Sequence, residues 1–189
     1  VGNTGVGYQC QLVLTTGTQN TGEGSTAQAS LTTGVRNTGV GAVSQFSLTT
    51  GQHNTGVGAL SMYAGGGLAA NATTTGSYQT CVGAHTGQAS ATQVDYIAAF
   101  GYKAAVTASG GVAIGTDSGG AGAVAVAANE IALGTANHLV KVRGRLNVAP
   151  RTPTSGADSS GTVGDIAADD SYVYVKTSTG WKRAALSTW

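Results

Sequence analysis

The sequence predicts an all-β chain whose larger part is a parallel β-solenoid, and three observations predict it. The phrase Asn-Thr-Gly-X-Gly begins at Asn3, Asn20, Asn37 and Asn54, 17 residues apart each time. A second phrase returns in register at Leu14-Thr15-Thr16-Gly17, Leu31-Thr32-Thr33-Gly34 and Leu48-Thr49-Thr50-Gly51. Finally, the period is too short for a strand plus a crossover helix, which needs roughly 30 residues. A fixed period with two landmarks per unit is the mark of a repeat architecture, in which each coil buries its apolar face only by stacking on the next.

Within one unit the Asn-Thr-Gly-Val-Gly phrase reads as a short strand, and the coil is expected to hold two strands and two turns. Side chains alternate along a strand, so Thr38 and Val40 share one face and Gly39 and Gly41 the other. Leu12, Ala29, Phe46 and Tyr63 occupy one later slot, and Leu14, Leu31 and Leu48 another. These leucines, with Val6, Val40 and Val57, are expected to stack in columns that form the core. Gly17, Gly34 and Gly51 are expected at corners, where a positive φ is tolerated. Gly5, Gly22, Gly39 and Gly56 sit inside strands, where glycine marks a close backbone approach, and a neighbouring chain is the expected visitor. So thin a coil holds little apolar material, which points to oligomerisation. Glu23 occupies a valine slot, where a buried carboxylate needs a partner, with Arg36 as the candidate.

After Gly58 the rhythm breaks. Residues 62–72 add about eight residues before Thr74-Thr75-Gly76 restores the corner, and an insertion in a solenoid emerges as a surface loop. From Gly83 the period drifts, with strand ends at Ile97–Gly101, Val112–Gly115 and Ile131–Gly134. Alternation there is read as Val112 and Ile114 inward and Ala113 outward, leaving room for another subunit. Val124 and Val126 suggest an extra strand.

Composition then shifts. Residues 1–135 carry six charged side chains, Glu23, Arg36, Asp95, Lys103, Asp117 and Glu130, whereas the remaining 54 carry eleven. The division is therefore a repeat shaft over 1–136, a connecting strand and proline-containing linker over 137–153, and a β-rich module over 154–189. Leu139–Val148 alternates, with Lys141, Arg143 and Arg145 on one face; Pro150 and Pro153 end it, since proline cannot donate to a ladder. Ser171–Lys176 and Trp181–Leu186 read as a hairpin about Thr177–Gly180.

The repeat phrases resemble those of bacteriophage tail-fibre proteins, and Gly111-Val112-Ala113-Ile114-Gly115 and Glu130-Ile131-Ala132-Leu133-Gly134 are similar to the head repeats of trimeric autotransporter adhesins. Residues 164–189 resemble a short C-terminal module of phage fibre and appendage proteins. What the resemblance implies is a homotrimer with a left-handed parallel β-roll shaft and a C-terminal tip that caps and trimerises. It also implies a place in the virion after assembly in the host cytoplasm, with other tail-fibre or baseplate proteins as neighbours. The implied function is structural and adhesive, binding bacterial surface polysaccharide or lipopolysaccharide without catalysis. A bacterial trimeric adhesin head on the cell surface and a polysaccharide depolymerase are the alternatives.

Composition supports an ordered chain. Of the 189 residues 41% are apolar and 9% charged, the formal net charge is +1 and 31 are Gly, whereas disordered chains combine low hydrophobicity with high net charge. No apolar run reaches the 18 residues of a membrane span, so no membrane insertion is expected. Cys10 and Cys81 lie several coils apart, beyond the ~7 Å reach of a disulfide, so both are expected as free thiols, consistent with a reducing compartment. His53, His85 and His138 lack metal-ligand spacing, and no cofactor is expected. Glycoside hydrolysis needs two facing carboxylates; Asp165, Asp169 and Asp170 lie in a turn phrase, where acids bond local backbone. The candidate ligand contacts are the aromatic residues Trp181, Trp189, Tyr172 and Tyr174, as stacking platforms, and the cations Lys141, Arg143 and Arg145, which suit an acidic polymer. Nucleic acid is not expected, because no aromatic side chains interleave with those cations.

Overall fold

The computed structural model describes residues 2–63, 75–88, 93–139, 141, 143 and 152–187. Among them there is no helix, and hence none long and apolar enough to cross a membrane. The chain divides into two compact units, Val1–Val140 and Lys141–Trp189.

The first unit is a parallel β-solenoid. Its coils contribute β1 (Thr4–Val6), β2 (Thr21–Glu23), β3 (Thr38–Val40), β4 (Thr55–Val57) and β5 (Thr80–Val82). After β6 (Gly87–Gln88) come β7 (Ala98–Phe100), β8 (Ala105–Val106), β9 (Val112–Ile114), β10 (Val124–Ala125) and β11 (Ile131–Leu133). An eight-stranded sheet runs in the order β1-β2-β3-β4-β5-β7-β9-β11, and a three-stranded sheet in the order β10-β8-β6. All pairs in both are parallel. The first four coils carry one strand each rather than two. Opposite it they hold turns and the single-residue bridges Thr18↔Val35 and Val35↔Gln52.

From β2 to β9 each three-residue strand of the large sheet turns its middle residue inward and its flanking residues outward. Gly22, Gly39, Gly56, Cys81, Ala99 and Ala113 are buried in successive coils, while Val6 is 59% exposed and Val57, Val82, Phe100 and Ile114 also face out. This overturns the expected valine core: Val6, Val40 and Val57 line the outside, and Leu31 and Leu48 are fully buried. Leu14, in the first coil, is half-buried. The same inversion holds for β9, where Ala113 is buried and Ile114 exposed. Of the other expected column only Ala29 is buried; Leu12 faces out, and Phe46 and Tyr63 meet edge to face at 5.8 Å on the flank. Glu23 is exposed and so needs no partner. Arg36 instead donates to Gln19 Oε1 at 2.9 Å.

The reason for the inversion lies in what fills the coil. Asn20, Asn37 and Asn54 are completely buried and form a ladder. Asn37 Nδ2 donates to Gly51 O at 2.8 Å and to Asn20 Oδ1 at 3.1 Å, while Asn37 Oδ1 accepts from the Asn54 backbone N–H at 3.1 Å and from Asn54 Nδ2 at 3.0 Å. Beside it Gln11 Nε2 donates to Gln28 Oε1 at 2.9 Å and Gln28 Nε2 to Gln45 Oε1 at 2.8 Å. These glutamines have φ of 51–52°, a left-handed backbone that costs a non-glycine residue about 1–3 kcal/mol. A hydrogen bond between buried amides offsets that, because the alternative is an unsatisfied polar group. Glycine is required opposite them: a Cβ on Gly39 would lie 3.1 Å from Gln28 Cγ and 3.3 Å from Gln45 Oε1. The close approach at Gly5, Gly22, Gly39 and Gly56 is made by the chain's own side chains. Gly34 is not among the positive-φ residues; it is tight because Gly51 O would lie 2.7 Å from its Cβ.

Further along, the amides give way to hydrocarbon. Met62, Cys81, Val94, Ile97, Ala99 and Val106 form a buried cluster with Ala113, Ala123 and Ala125. The inward strand position changes with it, from glycine to Cys81 and then alanine, because smaller neighbours leave room for a Cβ. Val124 faces out while Ala125 is buried, so the extra strand spans Val124–Ala125 rather than reaching Val126. Cys10 and Cys81 are both free thiols. Most of the insertion at 62–72 lies outside the described residues.

The second unit contains a three-stranded antiparallel sheet of β12 (Ile166–Ala168), β13 (Tyr172–Thr177) and β14 (Gly180–Ala185), with β13 central. The hairpin falls where the sequence places it; β12, read as part of a turn phrase, is the addition. Ala167, Tyr174 and Trp181 make a small core with Tyr172 packed against it. Most of the alternating stretch 139–148 lies outside the described residues.

Candidate functional site

Two surfaces are candidates, one in each unit. In the solenoid it is the outer face of the eight-stranded sheet. Parallel register aligns two outward columns: Thr4, Thr21, Thr38, Thr55, Thr80, Ala98, Val112 and Ile131, and Val6, Glu23, Val40, Val57, Val82, Phe100, Ile114 and Leu133. Both columns become more apolar along the sheet, ending with Ile131 65% exposed and Leu133 51% exposed. Glu23 is the single charge in either column. Contiguous exposed aliphatic surface of this kind marks an interaction site.

A third column runs along a corner of the solenoid at positions with φ of 56–59°. Arg36 Nη1 lies 3.2 Å from His53 Nε2, the His53 ring stacks on Tyr78 at 5.0 Å, and Tyr78 stacks on Tyr96 at 5.0 Å. The two stacks tie successive coils together along the column, while Tyr78 and Tyr96 stay exposed.

In the second unit a recess of about 350 Å³ is lined by Tyr174, Trp181 and Arg183 together with the segment Pro153, Thr154, Ser155 and Gly156. Tyr174 and Trp181 are each 5% exposed, and their polar atoms are committed: Tyr174 Oη donates to Asp169 Oδ2 at 2.6 Å and Trp181 Nε1 to Ser160 O at 3.0 Å. Little of either ring is open to the recess, whose open lining is mainly polar. Arg183 is exposed and its guanidinium lies 4.2 Å over the Tyr172 ring. Lys176 sits against Trp181, 5.5 Å from the ring.

The carboxylates near the recess are anchors. Asp169 accepts from Tyr174 Oη, from the Ser171 and Tyr172 backbone N–H groups, and from Thr152 Oγ1. These bonds, the Tyr174 hydroxyl first, lower its pKa to about 2 and raise that of Tyr174. Asp158 is held well below the usual carboxylate range, first by Ser160 Oγ and then by the Thr154 backbone N–H. Asp165 accepts from the Thr162 N–H at 2.8 Å and from its hydroxyl. Asp158 and Asp169 are thus ionised at neutral pH, unlike a general acid, whose pKa sits near the working pH.

Of the side chains singled out from sequence, Tyr174 and Trp181 line the recess, and Tyr172 supports Arg183 from beneath. Lys141 and Arg143 are exposed and unpaired in any strand; Arg145 and Trp189 lie outside the described residues. Sequence reasoning missed Arg183, which follows Trp181 by two and so shares its side of β14 by simple alternation. It also missed the segment 153–156, whose only signal was a proline. Among the described residues no group of three His, Cys, Asp or Glu side chains could hold a metal ion. The fold defines the class, a parallel β-solenoid accompanied by a small antiparallel module. Comparison with protein-family models, curated proteins and solved structures yields no match.

Proposed function

We propose that the chain is a segment of a bacteriophage tail fibre, working as a homotrimer in the virion. In this reading the solenoid is a left-handed β-roll shaft, and residues 154–189 form a tip and trimerisation module. Its task is structural and adhesive: it attaches to bacterial surface polysaccharide or lipopolysaccharide without catalysis. The observation that carries this reading is the outer face of the eight-stranded sheet, whose two aligned columns leave Val82, Phe100, Ile114, Ile131 and Leu133 in water. Burying such side chains stabilises by about 1.5–3 kcal/mol each, and two further copies of the same face, which carries Glu23 as its single charge, are its natural cover. Three weak ligand sites on one assembly then gain avidity.

Sedimentation of the intact chain tests the assembly: three copies are expected, and Ile114→Lys with Leu133→Lys should yield folded single chains. A native chain that sediments alone at micromolar concentration ends the proposal. Binding of the labelled chain to bacterial cells tests attachment, and release of reducing ends from host polysaccharide would favour the depolymerase instead. A bacterial trimeric adhesin head shares the assembly and differs in carrying the chain on a cell surface.

A further inference from the structure

We infer that the recess beside Arg183 binds a carboxylate-bearing sugar unit, a uronate or sialate, within an acidic surface polysaccharide. The inference rests on the attachment reading and names its ligand chemistry. The recess, at about 350 Å³, lies at the small end of the ~300–1,000 Å³ range of ligand pockets, room for on the order of one or two sugar units.

Three features select the ligand. The Tyr174 hydroxyl and the Trp181 indole N–H are spent internally, so these two largely buried rings give the recess a rigid floor, while its open lining is mainly polar and suits the hydroxyls and carboxylate of a sugar acid. Arg183 stands at the recess with its guanidinium laid on Tyr172. Among the described residues no carboxylate pairs with it: the nearby acids Asp158 and Asp169 are saturated by hydroxyl and backbone donors. A planar guanidinium held by the Tyr172 ring and the Tyr174 hydroxyl, with no acid bonded to it directly, keeps N–H donors for a ligand carboxylate. The segment 153–156 lines the recess; its Ser155 and Gly156 carbonyls are taken by the Asp158 and Trp181 N–H groups, which leaves the exposed Ser155 hydroxyl to donate to a sugar oxygen.

Binding of the full chain to immobilised polygalacturonate, hyaluronan, alginate and polysialate, with neutral dextran as reference, tests this. At least one acidic polymer should be retained in preference to dextran, and the matching free monosaccharide acid should compete while its methyl ester does not. Arg183→Gln should weaken retention about tenfold or more, which equals about 1.4 kcal/mol, and Arg183→Lys should restore part of it. Lys182→Gln, an exposed cation on the opposite face of β14, should change it less than twofold, which separates the recess from general positive charge. Arg183→Gln retained as well as the native chain, or dextran bound as well as the acids, overturns the inference. The same proteins applied to bacterial cells separate the two levels: cells bound equally by native and Arg183→Gln chains leave attachment standing and remove the recess from it. If neither cells nor polymers are bound, attachment and recess both fall.

Discussion

Replacing Asn37 by alanine should be among the most damaging changes available in the solenoid. The Asn37 side chain donates to Gly51 O and Asn20 Oδ1 and accepts from the backbone N–H and side-chain amide of Asn54, all within a coil where Asn20, Asn37 and Asn54 are fully buried. Alanine leaves the Asn54 N–H and the Gly51 carbonyl without partners. A buried donor or acceptor stranded in this way costs about 1–3 kcal/mol, so two of them predict a loss of about 2–6 kcal/mol. Asn3 provides the internal comparison, because its side chain makes the equivalent bonds, Nδ2 to Gly17 O at 2.7 Å and Oδ1 from the Asn20 N–H at 2.9 Å, yet it is exposed. Water can take over there, so Asn3→Ala should lose about 1 kcal/mol or less. Urea unfolding followed by circular dichroism at one protein concentration measures both. A loss below about 1 kcal/mol for Asn37→Ala, or equal losses at the two positions, would refute the view that the amide ladder holds the coils together.

Other expectations follow from the same geometry. Gly41→Ala places a Cβ 2.6 Å from the Gly58 backbone at a position with φ of 122°, and should destabilise the chain more than Gly39→Ala does, as read from the urea midpoint. Gly39→Val, whose Cβ meets Gln28 and Gln45, should lower stability by about 1–3 kcal/mol through overpacking even where chains are kept apart. A drop confined to assembly would show that a neighbour fills that site after all. The Asp169 carboxylate has a depressed pKa of about 2, so its contribution is present above the unfolded value of about 3.9 and disappears as pH falls through about 2. Asp169→Asn should flatten the acid sensitivity of the second unit in that window, followed by Trp181 fluorescence, and an unchanged acid profile counts against the anchor. Burial pushes the Cys81 thiol up to about 12, so Cys10 should be alkylated first in the native chain and Cys81 only on unfolding; equal rates would mean the coil opens locally.

The solenoid was legible because its repeat is literal: four Asn-Thr-Gly phrases in fixed spacing can only be aligned one above another. Which side chains of the strands face inward was not, because hydrophobic alternation assigns valine to the interior by default. Here Gly39 faces in and Val40 out, since Gln28 and Gln45 take the space a valine would need, and nothing in a glutamine advertises burial. Glu23 held the correcting signal, as a charge in the Val6, Val40 and Val57 column argues that the whole column is outside. In the second unit the hairpin could be read from Tyr172–Lys176 and its turn. The recess could not, because it depends on a segment near Pro153 approaching Arg183 across about 30 positions of chain.

The asparagine column has a consequence for how such a chain can change length. Every rung receives its backbone donor's partner from the rung before and offers the same oxygen to the rung after, so an additional 17-residue unit between Asn20 and Asn54 would find both connections already waiting. Growth or shortening by whole units is therefore nearly free of redesign in that half. Beyond Cys81, where Ile97 and Ala99 lie in a cluster of unlike side chains, every added rung would have to be fitted anew.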